Sequence, residues 1–128
     1  LLHPGDFHVI ITGTSLEAER YRQALPLNLP HVTDLGGKRD LPHLISLIGI
    51  CDALVAASTG PLHIAAACGI RAIGLYADIR PIHPGRWAPI GKDAHAVIED
   101  DIIPATEPQQ HINAIKPEQV LRLLEQLL

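Results

Sequence analysis

The stretch ALVAASTGPLHIAAA, residues 53–67, decides the fold. Its first five residues are apolar without alternation, the pattern of a parallel strand covered on both faces. Ser58, Thr59, Gly60 and Pro61 follow with almost no linker. Thr59 or Gly60 suits a helix N-cap, and Pro61 suits the first helical position. The alanines then carry a helix to Gly69, which is placed to cap its end. A buried strand running straight into a helix is one βα unit, and repetition of such units builds a parallel sheet.

The flanking sequence repeats the alternation. Leu41, Leu44, Ile45 and Ile48 recur at i, i+3, i+4 and i+7, the stripe of an amphipathic helix, with Asp40 able to cap its start and Gly49 closing it. Upstream, residues 31–35 read as a short strand running into Gly36 and Gly37, a turn signal. Residues 7–12 (FHVIIT) read as a buried strand broken by Gly13. Thr14 and Glu17 have capping-box spacing, so a helix is expected to about Leu25, with Ala18, Tyr21 and Leu25 on one face. Downstream, residues 71–77 form another apolar run and residues 78–91 a Pro- and Gly-rich loop. A short strand is expected at 95–98 and a final helix at 117–128, with Val120, Leu124 and Leu127 in line. The whole predicts an α/β fold, a Rossmann-like parallel sheet with helices on both faces.

Composition narrows the function. At 128 residues the chain fits one domain, and 47% hydrophobic residues supply a core without disulfides. A net charge of −4 leaves no footprint for nucleic acid, and Lys38-Arg39 is the longest basic run. Cys51 and Cys68 make no disulfide framework and read as small buried thiols of a reducing compartment. The apolar segment 41–57 falls short of the ~20 residues a membrane span needs. That missing span predicts a soluble protein and the thiols a reducing compartment, the cytoplasm, whereas the lack of a visible secretory leader decides nothing by itself. The near-immediate entry into a strand, and an aromatic content of 3%, read as a piece of a longer chain.

Open α/β sheets bind ligands beyond the carboxyl ends of their strands. Residues 12–15, 35–38, 58–63 and 78–87 are the loops expected there. At residues 58–63 a helix start would offer free amides and a partial positive charge. Gly60 has no side chain to block a phosphate, Thr59 brings a hydroxyl, and His63 brings a ring N–H one turn in. Together they could cradle a diphosphate. The plainer alternatives are a Thr59 that merely caps and a His63 hydrogen-bonded in the core. Thr12, Gly13 and Thr14 repeat the idea in shorter form, with helix capping as the alternative. Asp34 could accept from ribose hydroxyls or an adenine amine, or be an exposed loop carboxylate. Arg86 could pair with phosphate, and Trp87 could anchor its loop by burial. No dinucleotide glycine fingerprint, Walker loop or G-x-S-x-G appears. The eight histidines fall in no ligand spacing, so no metal is expected.

These segments, taken in order, resemble glycosyltransferase family 9, the heptosyltransferases. Residues 58–67 (STGPLHIAAA) are similar to its D-[TS]-G-x-x-H-[LIV]-A-A-A signature. Residues 9–13 with Glu17 and Glu19-Arg20 resemble its strand, glycine loop and E-R helix. Residues 34–38 (DLGGK) resemble its D-L-x-G-K segment, and residues 84–91 (PGRWAPIG) its P-x-R-W-x-P-x-G loop. The resemblance implies the C-terminal, donor-binding lobe of a GT-B enzyme, with the acceptor lobe and its catalytic base outside this sequence. It implies ADP-heptose as donor, a lipopolysaccharide core acceptor, inverting transfer, no cofactor, and peripheral association with a bacterial inner membrane. Carried onto this chain, the donor-binding residues are Ser58, Thr59, Gly60, His63, Thr12, Gly13, Asp34 and Lys38. One departure stands out: Ser58 occupies the position of the family's aspartate, which puts the donor in doubt. Two other readings stay open, a non-catalytic nucleotide-binding module and a GT-B enzyme using a UDP sugar.

Overall fold

The computed structural model describes residues 3–57, 59–77, 89–98 and 112–128. Ser58, Arg86, Trp87 and most of the loop 84–91 lie outside these residues. Every ladder among the described strands is parallel, as the βα alternation requires. The chain divides into two compact units, Leu1–Leu44 and Ile45–Leu128.

In the first unit, a 3₁₀ turn at Pro4–Asp6 leads into β1 (Val9–Ile11), α1 (Ser15–Tyr21) and β2 (Val32–Asp34). The ladder sets Val9 against Val32, Ile10 against Thr33 and Ile11 against Asp34. The capping box forms: Glu17 N donates to Thr14 Oγ1 at 3.2 Å, and Thr14 N donates to Glu17 Oε2 at 2.7 Å. Helix α1 stops at Tyr21 instead of reaching Leu25. Gln23 N donates to Arg20 O, an i→i−3 bond that tightens the last turn, and Pro26 disfavours helix at Leu25. Leu25 is therefore 44% exposed and does not share the buried face of Ala18. Strand β1 is also less buried than its composition predicts, with Val9 and Ile10 each 36% exposed. A strand with one ladder partner among the described residues has fewer neighbours to cover it.

Helix α2 (Leu41–Gly49) crosses the division between the units. Asp40 caps it, Oδ1 accepting from His43 N at 3.0 Å. The second unit continues with β3 (Ala53–Ala57), α3 (Gly60–Cys68), β4 (Arg71–Leu75), β5 (Ala94–Val97) and α4 (Pro117–Leu127). Its sheet has the order β3-β4-β5. Gly69 takes the left-handed conformation (φ 79°) that ends α3, as expected of that glycine.

The core lies between α3 and the sheet. Leu62, Ala65, Ala72, Ile73 and Tyr76 are fully buried. Small residues let the layers approach: a Cβ on Gly74 would stand 2.7 Å from Leu62 Cδ2, and one on Gly91 would stand 3.0 Å from Ala66 Cβ. Central β4 is buried along Ala72, Ile73 and Gly74, whereas β3, at the sheet edge among the described strands, leaves Val55 41% exposed. The expectation of β3 covered on both faces is corrected there. The cysteines are corrected too: Cys51 is half-buried and Cys68 is exposed. Cys68 closes the last turn of α3, away from the buried face of Leu62, Ala65 and Ala66.

Candidate functional site

The second unit presents the amino end of α3 at the carboxyl end of β3, with two residues between them. Thr59 holds the N-cap position in extended conformation but makes no side-chain cap. Its Oγ1 instead donates to Ala57 O at 3.1 Å. The capping alternative for Thr59 is therefore overturned, and the hydroxyl oxygen keeps its acceptor lone pairs. By contrast, α1 and α2 begin on side chains that satisfy their first amides. Pro61, in the first turn of α3, has no N–H to satisfy.

Gly60 is exposed, and a Cβ built there would meet nothing within 4 Å. Its φ is not positive, so neither backbone strain nor crowding demands glycine. His63, one turn in, is exposed and has no hydrogen-bond partner among the described residues. That removes the alternative of a satisfied core histidine. Leu62 beside it is fully buried and fixes the helix against the sheet. The result is an open helix start carrying a hydroxyl, an amide and a ring N–H, an arrangement able to hold an anion.

The first unit gathers its own predicted residues. The loops after β1 and β2 are joined by a bond from Gly37 N to Gly13 O at 2.8 Å, and Leu35 N donates to Ile11 O at 2.8 Å. Thr12, Gly13, Asp34 and Lys38 thus share one edge of this unit. Thr14 is the helix cap, as the plainer alternative had it. Asp34 is half-buried, not an exposed loop carboxylate, and it is already engaged, with a single donor on Oδ2. It accepts from Tyr21 Oη at 2.6 Å, Arg22 Nε at 2.6 Å and Gly36 N at 2.9 Å. The Arg22 bond, with Tyr21 and the Gly36 amide, holds its carboxyl well below the usual carboxylate range. Lys38 is exposed, its Nζ donating to Asp34 O at 3.0 Å.

The pairing of Tyr21 and Arg22 with Asp34 was missed by sequence reasoning, which placed Tyr21 only on the inner face of the helix. The available signal was a Tyr-Arg pair at the end of a short helix, four residues after Glu17, and it reads equally well as solvated surface. A further cluster, in which Asp93 Oδ1 meets His95 Nε2 at 2.6 Å and Asp93 Oδ2 lies 3.7 Å from Arg71 Nε, sits at the amino ends of β4 and β5. That is the edge opposite to where such sheets bind ligands. Among the described residues no group of histidine, cysteine and carboxylate side chains could hold a metal, and no helix is long and apolar enough to cross a membrane.

A comparison with protein-family models matches residues 2–115 to glycosyltransferase family 9 (heptosyltransferase). The chain belongs to this family. It is 34% identical over 119 residues to lipooligosaccharide heptosyltransferase 2 of Haemophilus influenzae, covering 86% of this chain and 34% of that protein. Among solved structures it matches the E. coli ADP-heptose lps heptosyltransferase II, with a TM-score of 0.74 and 24% identity over 94% of this chain and 36% of that one. A family 9 glycosyl transferase from Veillonella parvula matches with a TM-score of 0.71 and 20% identity, over 95% of this chain and 36% of that chain. The family 9 chain therefore has the Rossmann-like α/β arrangement of the GT-B transferases, and it spans about a third of the length of these relatives.

Proposed function

We propose that this chain is the donor-binding part of a family 9 glycosyltransferase, and that it holds the diphosphate of a nucleotide-sugar against the amino end of α3. The observation carrying this reading is the helix start, where Thr59 turns its hydroxyl away from capping and a Cβ on Gly60 would meet nothing within 4 Å among the described residues. ADP-heptose is the proposed donor and a lipopolysaccharide core sugar the proposed acceptor. Both rest on the family and on the relatives' names. Thr12, Gly13, Lys38 and Ser58 are proposed donor contacts on the family resemblance alone.

The chemistry follows from the leaving group. As the glycosidic bond breaks, negative charge grows on the nucleoside diphosphate. A fixed amide at Gly60, the α3 dipole and the His63 ring N–H stabilise that charge more in the transition state than in the ground state. The base that activates the acceptor hydroxyl is proposed to come from the part of the enzyme outside this chain, at the inner face of the bacterial membrane. Alone, this chain binds donor weakly and transfers nothing.

Calorimetry of the chain with ADP and with UDP tests the reading, alongside Gly60→Val. A Cβ there meets nothing within 4 Å among the described residues, so the fold and Tm should hold. ADP binding should fall roughly tenfold or more, as bulk enters the phosphate's place. Wild-type affinity for ADP in Gly60→Val would sink the assignment. Tighter binding of UDP than ADP would move the donor to the uridine class.

A further inference from the structure

Arg71 opens β4, and Asp93 and His95 stand beside it where β5 begins. The backbone here is settled: Arg71 N donates to Asp52 O, and Ala72 N donates to Asp93 O at 2.9 Å. The side chains divide unequally. Asp93 Oδ1 meets His95 Nε2 at 2.6 Å, whereas Oδ2 lies 3.7 Å from Arg71 Nε, beyond hydrogen-bond length. That nitrogen is closed off from solvent and has no hydrogen-bond partner, although its side chain as a whole is half-buried. A charged group carrying a buried, unmet N–H bears a desolvation cost that nothing offsets. The carboxylate nearest to it is the one that His95 holds.

One carboxylate thus stands between two donors and satisfies one of them. A carboxylate oxygen only accepts, so the ring nitrogen donates. A charged imidazole donates roughly twice as strongly as a neutral one, and histidine is the side chain that changes charge near neutral pH. The guanidinium keeps its charge throughout. We infer that Asp93 is a pH-dependent toggle between β4 and β5: a protonated His95 holds the carboxylate on its ring, and a neutral His95 releases it to Arg71 Nε. The other titratable groups at this edge are Asp52 ahead of β3, Cys68 at the end of α3 and Lys92 ahead of β5. Among the described residues none of these makes an ion pair or side-chain hydrogen bond with the three. Arg122 of α4 lines a groove farther along β5, with Ala96, Val97 and Ile98. The toggle acts on the first rung between the strands. Asp93 O already takes the Ala72 amide, and a bond from Arg71 Nε adds a second tie to β4. The amino ends of β4 and β5 are therefore tied twice when His95 is neutral and once when it is charged. All three residues belong to the second unit, and the device needs no ligand.

Nuclear magnetic resonance on the full chain tests this, from about pH 5 to about pH 8, the range over which histidine changes charge. It follows the His95 ring, the Arg71 Nε–H and the Ala72 amide in wild type, His95→Ala and Asp93→Asn. The Arg71 Nε–H signal should shift with the same midpoint as the His95 ring, and its protection from exchange should rise roughly tenfold as the ring loses its proton. Protection at the Ala72 amide should rise with it. In His95→Ala the carboxylate has one donor left, so Arg71 Nε–H should keep its high-pH position at every pH. In Asp93→Asn the ring should still titrate while Arg71 Nε–H stays flat. A wild-type Arg71 Nε–H that ignores the ring's titration would overturn the toggle. So would a pH dependence that survives in either variant. If His95→Ala fails to fold, His95→Gln, a neutral donor that does not titrate, decides by the same criterion.

Discussion

Histidine at position 63 is best understood through its neighbours on α3. Leu62 is fully buried, Ala65 likewise, and His63, about 100° round the helix from Leu62, is exposed with no partner among the described residues. A polar ring held on a helix turn, with no partner among the described residues, is available to a ligand in the proposed reading. In the complete transferase, His63→Ala should lower turnover about a hundredfold, the cost typical of removing one preorganised donor to a developing anion. Steady-state kinetics on the complete enzyme measure it, and wild-type kcat would refute the role. Cys51 and Cys68 teach the opposite lesson. Burial, aided by nearby Asp52, pushes the Cys51 thiol up, while Cys68 lies open on the helix end. Residue type alone had put both inside.

At the level of elements, the corner joining α1 and β2 is sensitive to acid. Asp34 has a folded pKa below its unfolded value of ~3.9. Its contribution is therefore whole above that pH and is lost as pH falls below it. Acid titration followed by circular dichroism should show stability falling below about pH 4, and Asp34→Asn should flatten that dependence. An unchanged acid limb in the variant would refute the assignment. The elements themselves were largely legible in the sequence. Ala53–Ala57, the Thr14–Glu17 box, Asp40 and Gly69 all do what their local chemistry dictates. Local rules concern groups close in sequence, and these are such groups. The Asp34 cluster joins residues 12 and 13 positions apart, so no periodicity or cap signal could disclose it. Its glycines were visible only as a turn, although a close approach and a positive φ explain them. The amino end of α3 was found because a glycine and a proline mark it, but only the structure separated an open start from a capped one.

For the molecule as a whole, family membership covers nearly the full chain, while the chain spans about a third of its relatives. Transfer activity should therefore require the remaining sequence of the complete protein. A radiolabelled-donor assay on this chain alone should give background counts, and the complete protein should incorporate label into a lipopolysaccharide core acceptor. Incorporation by the chain alone would show that the catalytic base lies within it. The parallel ladders carry one more consequence, for synthesis. A parallel pair cannot be closed by a hairpin, so β3 finds its neighbour only after all of α3 and β4 has been made. A nascent chain paused before Arg71 would hold ALVAA as an unzipped apolar edge, and that interval is when a ribosome-associated chaperone has most to protect.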